Sequence, residues 1–290
     1  MSQINVNIVA PLNTPQVIVS GVAIDAPSSS TIKIFEGTGI VPTIGSFSTA
    51  VGVQSLSNAS GSENSSFGHS SLKQNTTGNQ NTGIGVSSLQ LNTTGNKNTG
   101  LGYAALTNMT SGQRNVGVGA NAGGSLTTGD QNIFIGDNSG FQTSSGNNNI
   151  LIGYISDTAT PTSSNSITLG NSSHTVLRCA VTSITSLSDA RDKKEVEDLN
   201  VGLEFIDGLR PVKFVWDDRD ENGKHEIADF GFIAQDLKAA EEAVEMADVL
   251  KLVYDENPEK LEASYGKLIP ILVKAVQELS AEIKKLKSSK

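Results

Sequence analysis

The sequence predicts a mainly β repeat shaft, a β-helix or β-roll, followed by a small α+β domain that ends in a coiled-coil helix. Three observations predict it. A 17-residue period runs through the middle of the chain. Charge is segregated: residues 1–180 hold 5 Lys+Arg and 6 Asp+Glu, and residues 181–290 hold 16 and 24. The last residues carry a heptad seam.

Residues 1–50 form an N-terminal β segment whose role the sequence leaves open. "QVIVSGVAI" and "STIKIFEGTGI" read as two or three short strands punctuated by Pro.

Residues 51–180 are the Asn/Gly-rich shaft. "NSSFG", "NTGIG", "NTGLG", "NVGVG", "NIFIG" and "NILIG" recur at a step of 17, beginning at Asn64, and "SITLG" continues the series to Gly170. The closing glycine is always preceded by an apolar residue, from Phe67 through Ile135 to Leu169, a column expected to stabilise the shaft as its core. A second glycine column, including Gly112 and Gly129, ends turn-like strings, where glycine can supply a positive φ. A third column carries Leu72, Leu89 and Leu106 before lapsing to glycine. Each unit therefore reads as a short strand and a polar turn, too small to stand alone. With so few apolar side chains per unit, a core made by one chain would be thin, and several chains wrapping a shared axis are expected. A disordered linker shares this composition, but has no reason to hold an apolar residue at fixed register.

Residues 181–290 change texture. "VGLEFIDGL" has helical spacing, "VKFVW" is a strand, "DDRDENGKHE" a polar turn, and "DFGFIAQDLKAAEEAV" a strand leading into a helix. Ile269, Leu272, Val276, Leu279, Ile283 and Leu286 alternate steps of three and four, which predicts a coiled coil over 266–287. A helix packed on its own domain would show similar spacing.

Several functions are disfavoured. A net charge of −9 offers no footprint for nucleic acid or an anionic membrane. The single cysteine, Cys179, excludes an intramolecular disulfide and reads as core filling. His69, His174 and His225 are far apart, so no metal or cofactor is expected. The start of the chain lacks the pattern of a secretory leader and no long apolar run occurs, which predicts synthesis in a cytoplasm and makes the "NASG", "NTTG" and "NMTS" sequons turn chemistry.

"SDARDK", "LRPVKFVW", "GFIAQDL" and "YGKLIPILVKAVQEL", in that order, resemble the endosialidase-type intramolecular chaperone, the C-terminal autoprocessing domain of phage tail fibres and tailspikes. The likeness covers about residues 183–290, and the repeats are similar, more loosely, to phage-fibre strands and the heads of trimeric adhesins. It implies a homotrimer in a virion tail, in contact with other tail proteins and with a host-surface glycan or protein receptor. It also implies a single-turnover serine peptidase: Ser188 as nucleophile, Lys193 as general base, Asp189 and Arg191 as supporting motif residues, and the Leu187–Ser188 bond as the one cut.

From the residues alone, Ser188 reads as a helix N-cap, with Asp189 suited to the positive helix end. A Ser/Lys dyad sets two demands. Residues five apart lie about 140° apart around an α-helix, so the chain must fold back at the serine. A lysine at its reference pKa of about 10.4 costs roughly 4–5 kcal/mol to neutralise at pH 7, so burial must depress it. Asp189, Asp192 and Glu195 oppose that depression, whereas Arg191 and Lys194 favour it. Two other functions compete with a tail fibre. A bacterial surface adhesin would need a secretory route and an anchor. A glycan-degrading tailspike would need paired carboxylates, and the first 180 residues offer only Asp25, Glu36, Glu63, Asp130, Asp137 and Asp157.

Overall fold

The structure, a computed structural model, describes the side chains of residues 45–57, 59–174, 176–180, 185, 187–217 and 226–289, and the backbone of three further strands before them. The chain divides into two compact units, residues 1–171 and 172–290.

The first unit is a parallel β-solenoid. Strands β1 (Gln16–Val19), β2 (Val22–Asp25) and β3 (Ile32–Glu36) pair antiparallel, as the short strands expected before residue 50. From β3 onward pairing is parallel and sequential through β4 (Thr49–Val51), β5 (Ser65–Phe67), β6 (Thr82–Ile84), β7 (Thr99–Leu101), β8 (Val116–Val118), β9 (Ile133–Ile135), β10 (Ile150–Ile152) and β11 (Ile167–Leu169). From β5 each strand sits exactly one 17-residue coil above the last, with Thr82 opposite Thr99 and Ile133 opposite Ile150. The turns stack as well: the Leu89 N–H donates to the Ala105 carbonyl at 2.9 Å, and Thr93 N–H to Thr110 at 2.8 Å. Every coil is thus bonded to the next on several sides.

The interior is closed within one chain, so wrapping several chains is not needed to make it. Three kinds of side chain fill it. Leu72, Leu89 and Leu106 enter from the turns and are fully buried. The middle residue of each strand points inward: Ser66, Gly83, Gly100, Gly117, Phe134 and Leu151. The third is a ladder of buried asparagines. Asn132 donates its amide to the Gly146 carbonyl at 2.8 Å and to Asn115 Oδ1 at 3.1 Å, and its own Oδ1 accepts from Asn149 N–H at 3.0 Å. At Asn81, Asn98 and Asn115 the backbone N–H again donates to the preceding asparagine Oδ1 and the side-chain amide to a glycine carbonyl. A buried amide is costly unless bonded, and here each is bonded by its neighbour. The ladder begins at Ser48, whose hydroxyl accepts from Asn64 N–H at 3.1 Å, and ends at Ser166, whose hydroxyl donates to Asn149 Oδ1 at 2.9 Å.

Two expectations change. The apolar column from Phe67 to Leu169 is not core: it is the last residue of each strand and faces outward, with Ile135 and Ile152 each 39% exposed. Side chains alternate along a strand, so the residue two before it on the chain shares that outward face and only the middle one enters. The positive φ lies in the closing column, as at Gly136 (φ +128), not in the turn column. Gly129 is required by close approach instead, because a Cβ there would run into the Gly146 carbonyl of the next coil.

The second unit is α+β, as expected. Helix α1 (Leu203–Gly208) is followed by a hairpin of β12 (Val212–Val215) and β13 (Ala228–Gly231). Most of the polar turn "DDRDENGKHE", with His225, lies outside the described residues. Next come α2 (Ala234–Ala243), α3 (Ala247–Leu250), a short pair β14 (Val253–Tyr254) and β15 (Glu262–Ala263), and the 21-residue helix α4 (Leu268–Ser288). Val201, Phe205, Leu250, Leu252, Leu268 and Ile271 form its core. Two backbone N–H groups are satisfied by carboxylates, the buried one of Leu252 by Glu241 and the part-buried one of Leu203 by Glu278, each at 2.7 Å. Cys179, expected as core filling, is exposed.

Helix α4 has two apolar faces. Leu268, Ile271 and Ala275 are buried against its own unit. The heptad seam lies on the other side, exposed along its length, with Ile269 at 62%. The helix thus packs on its own unit through residues other than those of the seam.

Candidate functional site

The site begins with an acid at a turn. Asp189 has extended backbone (φ −69, ψ 134), and its carboxylate accepts from the Arg191 N–H at 2.9 Å. That caps a single 3₁₀ turn, Ala190–Asp192. The N-cap is thus Asp189, one residue after the Ser188 expected from the residues alone, because the aspartate reaches the second turn N–H. The Ser188 hydroxyl is left for another partner.

Lys193 closes the turn. Its N–H donates to the Ala190 carbonyl at 3.2 Å, and its backbone is extended again (φ −118, ψ 142). An extended residue, a tight turn and an extended residue return the chain on itself. The Lys193 ammonium then donates to Ser188 Oγ at 2.7 Å and to the Ser188 carbonyl at 3.3 Å. The spacing that an α-helix forbids is met because Ser188 and Lys193 flank the turn instead of sharing one helix.

Asp189 and Arg191 are bound to each other. The guanidinium engages both carboxylate oxygens, with Nη2 to Oδ2 at 2.6 Å. This contact first, and the Arg191 N–H second, hold the Asp189 carboxyl below its ordinary range, while the carboxylate raises the guanidinium. Ser188 and Lys193 are exposed, and Leu187 is 100% exposed. The single chain therefore supplies the contact between the two groups, but not the burial that would neutralise the lysine.

Elsewhere the candidates thin out. The shaft carboxylates whose side chains are described serve local structure: Asp157 accepts from Gln142 N–H and the Thr143 hydroxyl, Asp130 from Gln113 N–H, Glu63 from the Gln80 amide, and Asp137 from the Asn138 amide. Asp25 and Glu36 lie in strands described by backbone alone. Among the described residues, no group of three or more His, Cys, Asp or Glu side chains could hold a metal ion, and no helix is long and apolar enough to cross a membrane. An apolar groove of about 700 Å³ in the second unit, lined by Leu209, Val212, Phe230, Tyr265 and Leu272, was not legible in the sequence. The hairpin and α4 that form it come from distant parts of the chain.

Comparison with known proteins gives one match. Residues 188–248 match the family model described as chaperone of endosialidase. No curated protein and no solved structure matched the chain. The matched segment opens on Ser188 and contains Lys193, and ahead of it stands the solenoid. Residues 188–248 are thus similar to the chaperone of endosialidase, and together with the β-solenoid before them they fit a tail fibre with a C-terminal chaperone domain.

Proposed function

We propose that the chain is a phage tail fibre whose second unit aligns three copies and then releases itself by cleaving the Leu187–Ser188 bond. The observation that carries this reading is the 2.7 Å contact between Lys193 Nζ and Ser188 Oγ at the first residue of the matched segment. It suits a Ser/Lys dyad, in which a neutral amine takes the hydroxyl proton.

In the reaction, Ser188 Oγ attacks the Leu187 carbonyl carbon as its proton passes to Lys193 Nζ. The Leu187–Ser188 C–N bond breaks, the proton goes to the departing Ser188 amine, and an ester joins the Leu187 acyl group to Ser188 Oγ. Water then hydrolyses that ester, leaving a Leu187 carboxylate and restoring the Ser188 hydroxyl. In one chain the lysine is exposed to water, which favours the charged form of an amine over the neutral form that a base requires. Closure of three copies around the site would desolvate it and lower its pKa. Cleavage then reports that assembly is complete.

Trimer formation is supported by the matched segment; the exposed seam of α4 offers a surface for helix association, although Ile/Val at a with Leu at d by itself favours two strands, so three-fold association would be set by the rest of the chain. The shaft, released into the virion tail, would meet other tail proteins and a host-surface glycan or protein. Mass spectrometry of freshly expressed protein tests the reading: fragments 1–187 and 188–290 are expected, and an intact chain from an assembled trimer overturns it.

A further inference from the structure

Resting on the homotrimer reading above, we infer that the outward face of the shaft's strands, over β8–β11, is the surface by which the three copies of the solenoid meet. The first and third residues of each strand share this face. In the early coils the first position is Ser65, Thr82 and Thr99, whereas β9 carries Ile133 and Ile135 and β10 carries Ile150 and Ile152. The face therefore changes along the axis from mixed to wholly aliphatic. None of its positions from β4 to β11 is ionisable, while Glu63, Lys97, Arg114 and Asp137 are exposed in the turns beside it. An uncharged aliphatic centre with a polar rim is the composition of an association surface.

Period and area identify the occupant. The rows repeat at one coil, about 4.8 Å, and a partner matching them row for row must carry the same repeat. A second copy does. Four rows by roughly 10 Å of width present about 200 Å² per chain, against about 800 Å² per partner in a stable complex. Such a face holds only when something else fixes the copies side by side, which is the role proposed for the second unit. The aliphatic end of the face is also the end that precedes Ser188 in the chain. Contact would start there and weaken toward β5.

The test uses the full chain. Size-exclusion chromatography with light scattering compares wild type with Ile133→Asp/Ile150→Asp and with Ser65→Asp/Thr82→Asp, and circular dichroism checks that the solenoid persists. The Ile pair is expected to lower the trimer fraction at least tenfold at equal concentration, and the Ser/Thr pair less than twofold. Because the Ile pair could disturb the coil itself, a second measurement uses Ile133→Cys in a Cys179→Ser background with a short bismaleimide. Covalent dimers are expected on denaturing gels, and none from Thr94→Cys on a turn. A monomeric wild type would overturn the trimer reading and this inference with it. A wild-type trimer that neither cross-links through Ile133→Cys nor responds to the Ile pair would overturn this inference alone, as would equal losses from the two pairs.

Discussion

Phe134 fills from the strand side the space that Gly123 vacates on the turn side: a Cβ on Gly123 would lie 2.6 Å from the Phe134 ring and 2.6 Å from Leu106. Earlier coils have the opposite arrangement, with Gly117 on the strand and Leu106 on the turn. The interior volume is conserved while its source changes sides. Phe134→Ala should therefore cost about 3–5 kcal/mol, the range for a truncated buried aromatic. Leu106 already adopts φ +52 and Gly123 lies at φ +62, so leucine suits the Gly123 backbone. Gly123→Leu/Phe134→Gly should lose less stability than the sum of its single changes, measured by denaturant unfolding in a double-mutant cycle. Simple additivity would mean that the two sites do not share one space.

Removing either dyad member should preserve the 290-residue chain. Ser188→Ala lacks the nucleophile and Lys193→Ala the base. Lys193→Arg should fail equally, since guanidinium stays protonated. Intact mass gives the answer directly, and cleavage persisting in Ser188→Ala would remove Ser188 from the chemistry.

The two faces of α4 should separate by mutation. Val276→Asp/Ile283→Asp alters only exposed seam residues and should leave the second unit folded while reducing trimer by tenfold or more. Ile271→Asp puts a charge in the core and should unfold that unit. Emission from Trp216, the single tryptophan, reports folding, and light scattering reports assembly. An unaffected trimer in the first variant would assign association elsewhere.

Acid should loosen the second unit through Glu278. Its carboxyl is held below the ordinary value of 4.5, first by the Leu203 N–H and then by Lys274. A depressed carboxyl contributes stability that is present above the unfolded value and lost as pH falls through the folded one. In the Ser188→Ala chain, denaturant midpoints read at Trp216 should be flat above about pH 4.5 and fall below it. Glu278→Gln should flatten that fall. An identical acid limb in both proteins would place the effect on other carboxylates.

The period, the order of elements and the dyad partners were legible because each is local: a fixed step, a pattern change near Ser188, and a five-residue motif. What the sequence hides is direction. The column from Phe67 to Leu169 reads as core by hydrophobicity, yet a three-residue strand has two outward positions and one inward, and the inward one is often glycine. Asn132 and its equivalents read as turn chemistry because amides are seldom buried, and they are core only because each has an identical neighbour one coil away. The solvent exposure of Lys193 and Cys179 is likewise invisible in a linear pattern.

The asparagine ladder makes the shaft a ruler. Each rung's side-chain oxygen is bonded by the rung that follows, and Ser48 and Ser166 stop the series at either end with a hydroxyl in place of the amide. Its length can therefore change only in whole steps. Duplication of any internal 17 residues inserts one more satisfied rung, whereas adding or removing a few residues would leave buried amides facing nothing. Fibres of this design can lengthen or shorten in coil-sized increments while the terminal serines, and whatever adjoins them, remain as they are.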